Sequence, residues 1–366
     1  MAAQPLFRAE HIGSLLRPPA LTAAFRSHQA GELTDAAFRE IQDEGIREAV
    51  TLQQEVGLRV VTDGEFRRGS YWGHFIGPVE GLTVKEAAYK FRDDHGHEQA
   101  FIAPHVAGKV RRARGISTDE FAFLKSAASA TPKVTLPSPP TFHFWRGRDG
   151  IDPAAYDGPT AFFADFAQVY REEIAALAAL GAIYVQLDEV PLAMLCDPTV
   201  CDSLRQRGED PDALVGIYIN AINQAVADRP DGMIIGLHLC RGNFKGKYLS
   251  EGGYEPVAER LFNEIDVDVF FLEYDSARAG DFAPLRFVPT EKSVVLGLVS
   301  SKSPEMERVD DLVRRIDDAG QYIAGDRLGI SPQCGFASAV SGNPITIEVE
   351  KKKLRLVVET AARVWE

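Results

Sequence analysis

PDALVGIYINAINQAVADRPDGMIIGLHLC, residues 211–240, carries the reading of the fold. Its first part, 211–228, repeats apolar residues at helical spacing. Its last part, GMIIGLHLC (232–240), is a short apolar run that ends on His238 and Cys240. A helix that feeds a buried strand is half of a parallel βαβ unit. The same unit recurs on both sides. An Ala-rich helix over 159–180 feeds AIYVQLDEV (182–190), and a helix over 253–264 precedes VDVFFLEYDS (267–276). SVVLGLVSSK (293–302) is the next strand, a helix over 305–319 leads to RLGISPQCG (327–335), and a last helix runs over about 345–365. Towards the N-terminus, LFRAEHIGS (6–14) reads as a first strand. A helix over 35–56 follows, and then GLRVVTDGEF (57–66) as a second strand. Residues 67–150 are irregular, with strand candidates at 99–112 and 133–140.

The count is near eight, and each polar cluster falls at the C-terminal end of a strand. That pattern predicts an α/β fold, a TIM (β/α)8 barrel, in which the active site is built at those ends. One barrel domain absorbs the whole of 1–366. A doubly wound open sheet is the competing fold, but HIGSLLRP lacks the G-x-G-x-x-G phosphate turn. The segment 84–115 is charged and holds His95, His97 and His105; it is expected as an inserted loop or hairpin over one barrel face.

Composition narrows the class. The chain is 45% hydrophobic, ample for a large core, and carries a net charge of −13. That charge argues against nucleic acid and anionic membranes as partners. No apolar run approaches the roughly 20 residues that cross a bilayer. MAAQPLFRAEHIGS has neither a basic nor an apolar region of a secretory signal. Four cysteines do not make a disulfide framework. A reducing cytoplasm is the expected compartment.

Two thiols, an imidazole and a carboxylate form a four-coordinate zinc set when brought together, and His238, Cys240, Glu273 and Cys334 are the candidates. Alternation along an extended segment points His238 and Cys240 to one side. Glu273 follows four apolar residues, where a carboxylate is costly to bury unless paired or bound to metal. The bland reading stands beside this one. A lone buried Cys is usually an inert small hydrophobe, and a Glu at a strand end is often a salt-bridge partner. Three further clusters sit at strand ends: Ile12-Gly13-Ser14, Asp63-Gly64-Glu65 and Gln186-Leu187-Asp188-Glu189. Acidic groups suit a ligand's amino group, and a Gly-Ser turn offers backbone N–H groups to a carboxylate. Equally, Asp63 and Glu65 can pair with Arg67, Arg68 or Arg17. Cys196 and Cys201 read as structural, and His11 as pocket-lining or simply hydrogen-bonded.

HIGSLLRP (11–18), TDGEFRR (62–68), VQLDEVPLA (185–193), GLHLCRGN (236–243), FFLEYDSAR (270–278) and SPQCGF (331–336) together resemble the catalytic half of cobalamin-independent methionine synthase, especially its short single-barrel relatives. The resemblance implies a TIM barrel and Zn2+ held by His238, Cys240, Glu273 and Cys334. It implies that Ile12, Gly13 and Ser14 bind the carboxylate of homocysteine, and that Glu65 and Asp188 bind its amino group. The implied partners are a small thiol and a methyl donor, either a methylfolate or a methyl-corrinoid, the latter free or on a corrinoid protein. Two departures stand out. Lys302 replaces a His that the long enzymes place near the transferred methyl, and Gln333 precedes Cys334 where they carry Asp. Lys302 is a candidate for holding a negative group of the donor, or for neutralising Glu189 or Asp275. Trp72, Phe142, Phe144 and Trp145 are candidates for stacking on a pterin. The expected reaction is methyl transfer to the homocysteine thiol. The alternatives are alkyl transfer or epoxide opening with another thiol, zinc hydrolysis, and metal binding without catalysis.

Overall fold

The computed structural model describes residues 7–92 and 97–366. Among them the strands are β1 (Val60–Val61), β2 (Val79–Arg92), β3 (Glu98–Arg112), β4 (Thr131–Pro132), β5 (Val134–Pro137), β6 (Tyr184–Glu189), β7 (Ile234–Leu239), β8 (Val269–Glu273), β9 (Ser293–Val299) and β10 (Leu328–Pro332). β5 to β10 form a six-stranded sheet in which every neighbouring pair is parallel and consecutive in the chain. Parallel strands need a long crossover, and helices supply most of these. Pro159–Ala179 precedes β6, Pro211–Val226 precedes β7, Glu255–Glu264 precedes β8 and Val309–Ala319 precedes β10. Between β8 and β9 the chain makes only short 3-10 turns.

Local sequence explains the elements. Pro211 starts its helix with a preset φ and no amide to satisfy, and the Asp210 side chain accepts from the amides of Asp212 and Ala213. Leu214, Val215, Tyr218, Ile219 and Ile222 then bury one face. β6 to β9 are buried along almost their whole length. Strands covered on both faces read as continuous apolar runs for that reason.

The N-terminal third departs from expectation. The first strand is reduced to a bridge between Ala9 and Ile330, and the second to the two residues of β1, paired with β4. The chain turns out of extended geometry at Gly13 (φ 141°) and at Gly64-Glu65 (φ 67° and 60°), which cuts both strands short. These segments still extend the sheet at its two ends. The Lys133 amide donates to Val61 O between β4 and β5, and the Leu15 amide donates to Gly64 O. The expected insertion is an antiparallel hairpin of β2 and β3, longer than 84–115 on its N-terminal side. His95 lies outside the described residues. β2 was not legible because VEGLTVKEAAYKFR mixes charge with Ala and exposes much of its length. The helix expected over 305–319 begins only at Val309, and Pro19–Gln29, Thr118–Ala127 and Pro198–Gln206 are additional helices. No helix of the described residues is long and apolar enough to cross a membrane.

Between the strands, Ile12, Val60, Tyr184, Val269, Phe271 and Val295 pack into one small cluster. Beside it lies a buried ion pair: Lys133 Nζ is 2.9 Å from Glu10 Oε2, and the Tyr184 hydroxyl donates to Glu10 Oε1 at 2.9 Å. Breaking a buried pair leaves an uncompensated charge, a loss of about 3–5 kcal/mol. Lys133→Met is therefore expected to lower stability by about that amount in urea unfolding, and adding Glu10→Gln is expected to recover most of it. Equal midpoints for wild type and Lys133→Met would show that the pair contributes nothing.

Candidate active site

The C-terminal ends of β6, β7, β8 and β10 meet on one side of the sheet. Pairing in β6–β7 sets Asp188 opposite His238, and pairing in β8–β9 sets Glu273 opposite Gly297. Cys240 and Cys334 lie just beyond β7 and β10. All four expected ligands are buried, and their ligand atoms lie within 4.8 Å of one another. Cys240 Sγ and Cys334 Sγ are 3.3 Å apart. This contact holds the Cys334 thiol well below its usual range and pushes Cys240 up.

The cluster fits a tetrahedral metal. Zinc–sulfur bonds of about 2.3 Å place two sulfurs roughly 3.8 Å apart, close to what is observed. Both ring nitrogens of His238 are buried without a hydrogen-bond partner, a costly state for an imidazole that bound metal would relieve. Glu273 Oε1 accepts from the Arg241 amide at 2.8 Å, and the Glu273 amide donates to the Tyr254 hydroxyl at 2.9 Å. Such outer contacts orient a ligand before metal arrives. Among the described residues no other His, Cys, Asp or Glu joins this group. Cys196 and Cys201 donate instead to Leu192 O and Leu195 O, in keeping with a structural role.

A pocket opens on the cluster. His238, Cys240 and Cys334 line it together with Ile12, Ser14, Glu65 and Asp188. The strand-end clusters expected from sequence therefore share one cavity. Gly13 is held where it is by close packing, since a Cβ there would sit 2.6 Å from Thr135 Cγ2. Gly335 is pressed on Ser14 in the same way, with an added Cβ 2.0 Å from its Oγ. Asp188 Oδ1 accepts from Gln186 Nε2 at 2.7 Å, and Gln186 Nε2 also donates to Ile12 O. Burial pushes the Asp188 carboxyl up to about 7, and the charge of Glu65 adds to the rise. Glu65 is raised by burial too. Its Oε1 accepts from Thr135 Oγ1 at 2.8 Å and lies 3.6 Å from Arg68.

Of the ion pairs expected for the acidic cluster, Arg68 with Glu65 is present, while Arg67 is taken by another acid and Arg17 by backbone oxygens. Arg67 pairs with Asp43, Arg68 chiefly with Glu120, and Arg17 donates to the backbone oxygens of Glu65 and Arg68. Arg68 thus braces Glu65 without a direct hydrogen bond to it. His11 is buried, and neither of its ring nitrogens has a partner.

Of the four aromatic candidates, Trp145 lines the thiol pocket and Trp72 lines an adjoining groove. Phe142 and Phe144 are core: Phe142 packs on Phe75 and Phe166, and Phe144 stacks on Tyr89. Tyr71, Phe91, Asn243 and Ser338 also line the pocket and were not singled out in the sequence. Asn243 was within reach, since it closes GLHLCRGN. Phe91 was not, because only the fold of the hairpin brings it to the mouth. Lys302 is absent from the pocket lining; its Nζ donates to Gly242 O at 2.9 Å. Glu189 is engaged elsewhere, by the Ser138 hydroxyl and the Leu192 amide. Gln333 Oε1 accepts from the Ser301 amide at 2.6 Å, tying the exit of β9 to β10.

Comparison with known proteins agrees with this geometry. The profile of the cobalamin-independent synthase catalytic domain matches residues 7–363. The Bacillus subtilis protein YxjH, itself uncharacterized, is 39% identical over 98% of this chain and 95% of its own length. The methionine synthase of Pyrococcus horikoshii is 25% identical over 91% of this chain and 87% of its own. A solved structure, the putative vitamin-B12-independent methionine synthase of Listeria monocytogenes, superposes with a TM-score of 0.78 at 31% identity, covering 100% of this chain and 99% of that one. The Shewanella sp. W3-18-1 B12-independent methionine synthase in complex with selenomethionine shares the fold, with a TM-score of 0.75 at 20% identity over 98% of this chain and 97% of that one. With the profile spanning nearly its whole length, the chain belongs to the cobalamin-independent methionine synthase catalytic-domain family.

Proposed function

We propose that this chain is a zinc-dependent thiol S-methyltransferase that converts homocysteine to methionine, on a closed (β/α)8 barrel. The observation that carries the reading is the shared pocket: two buried carboxylates, Glu65 and Asp188, face the same cavity as the His238, Cys240 and Cys334 cluster. A sulfur site and an ammonium site side by side describe a small aminothiol. Barrel closure is supported by the backbone bond from Leu15 to Gly64 and by the packing of Ile12 and Val60 against residues of β6, β8 and β9.

His238, Cys240, Glu273 and Cys334 would hold zinc, which when bound keeps the substrate sulfur as its thiolate at neutral pH. Free thiols have a pKa near about 8.5 and are mostly protonated there. Glu65 and Asp188 hold the ammonium group. With a cation between them, both carboxylates ionise despite their burial. Ile12, Gly13 and Ser14 present backbone to the substrate carboxylate. Tyr71, Phe91 and Trp145 keep water from the reacting sulfur. That sulfur displaces the donor's leaving group in line: the new S–CH3 bond forms as the old methyl bond breaks, and the leaving group takes the electron pair. The chain's contribution is positioning.

The testing experiment is methionine formation by zinc-loaded protein from homocysteine, with methyltetrahydrofolate and methylcobalamin offered in parallel. Product with either donor is expected; none with either, at full zinc content, overturns the reading. Cys240→Ser or Cys334→Ser is expected to weaken zinc binding by more than about 100-fold and to abolish transfer. Metal analysis of purified variants checks this, and full zinc content with wild-type turnover would remove the thiolate ligands from the proposal. Glu65→Gln and Asp188→Asn each lose a charge-assisted hydrogen bond, so the KM for homocysteine is expected to rise about 10- to 100-fold. Binding of 4-mercaptobutyrate, which lacks the amino group, should stay unchanged. A uniform loss for both thiols would contradict the assigned roles.

A further inference from the structure

Lys302 stands in the loop after β9, between the strands that deliver Glu273 and Cys334. The register is tight on both sides. The Tyr274 amide donates to Gly297 O, and the Gln333 amide to Val299 O. From there the side chain reaches across to the third ligand strand, where Nζ donates to Gly242 O, two residues beyond Cys240. The ammonium group is thus anchored to the backbone of Gly242, which lines the thiol cavity, while Lys302 itself is not part of that lining.

The charges around it are unbalanced without it. Two thiolates and a carboxylate carry three negative charges, a divalent zinc returns two, and a bound substrate thiolate adds another negative. A net charge of minus two in a buried site is unfavourable unless compensated. The groups that act on Lys302 from the neighbouring elements are Glu273 and Asp275 after β8, Cys334 after β10 and Cys240 after β7, all acidic. Among the described residues a second cation at the cluster is Arg241, whose guanidinium lies over the Tyr254 ring at 4.5 Å and interacts with Glu273.

We propose that Lys302 is a positioning residue that supplies the counter-charge for the substrate thiolate, acting through the ligand shell. The inference rests on the zinc–thiol reading above. The anchor at Gly242 O fixes the ammonium, so its charge needs no reorganisation when the thiol loses its proton. The thiol proton leaves to solvent on binding, and the lysine stays charged throughout. Arg241 and Lys302 together offset the two net negative charges of the metal, its ligands and the substrate thiolate.

The experiment uses the full chain with cobalt(II) in place of zinc; Cys240 and Cys334 already give a sulfur-to-metal charge-transfer absorption, and the thiolate band read is the increment that homocysteine adds to it. Wild type, Lys302→Met and Lys302→Arg are titrated with homocysteine between about pH 6 and pH 9, and metal content is measured in parallel. At an effective dielectric near about 20, one charge within about 10 Å shifts thiolate formation by about one pH unit or more, at least about tenfold in affinity at pH 7. Lys302→Met is expected to keep one metal per chain and to need about one unit higher pH for its band, and Lys302→Arg to follow wild type. An unchanged profile in Lys302→Met overturns the proposal. So does loss of metal in Lys302→Met, which assigns the lysine to site assembly. A wild-type protein that binds cobalt but gives no thiolate band at any pH fails at the zinc–thiol reading itself, a distinct result.

Discussion

Parallel register is the constraint on which the rest depends. In β6–β7 it holds Asp188 beside His238, and in β8–β9 it holds Glu273 beside Gly297. Because side chains alternate along a strand, a slip of one residue would turn each of these groups to the opposite face. Such a slip would exchange Leu237, Phe270 and Leu272 of one packing layer with His238 and Phe271 of the other, so neither layer would keep its packing. Two glycines keep the ladder tight. An added Cβ on Gly297 would lie 2.7 Å from Gln333 Cα, and one on Gly236 would lie 2.9 Å from Phe271 Cε2. Large side chains at these places would push apart the strands that bring Glu273 and Cys334 together.

The site gathers in one place two buried acids, the orphaned ring nitrogens of His238 and a strained turn. Glu65 adopts a left-handed conformation directly after Gly64, at a cost of about 1–2 kcal/mol for a residue with a side chain. Asp63 Oδ1 accepts from the Glu65 amide, and Arg17 binds the carbonyl, so the surroundings enforce the turn. Strain and unpaired polarity of this kind persist where a ligand compensates them. The buried pair of Glu10 and Lys133 is the contrast. Its charges satisfy one another, and nothing there is left for a ligand to supply.

Much of this was legible in local pattern. The strand of GMIIGLHLC and the helix of 211–228 are visible because burial on both faces demands an apolar run, and burial on one face demands helical spacing. The termini of these elements moved by a few residues at most. The hairpin strand β2 and the shortened first strand were hidden for the opposite reason. The charged, exposed pattern of β2 masks its strand period, and the first strand is ended by a single positive-φ residue, Gly13, with no change in hydropathy. Within the site, Glu65, Asp188, His238, Cys240, Glu273 and Cys334 stood out as polar residues closing apolar runs. Tyr71, Phe91 and Ser338 did not, because an aromatic or small polar residue near a loop looks the same whether or not it faces a cavity.

By itself the sequence determined the α/β class, the order of strands and helices, and the identity of the chemical groups at the strand ends, because backbone periodicity and the cost of burying polarity act over a few residues. Only the tertiary structure decided which of those groups meet. It set the two sulfurs 3.3 Å apart across 94 residues of chain, separated Trp145 at the pocket from Phe142 in the core, and joined Lys302 to the backbone of Gly242. Those outcomes depend on strand register and loop course, which are fixed by packing among distant segments and leave no mark on any one of them.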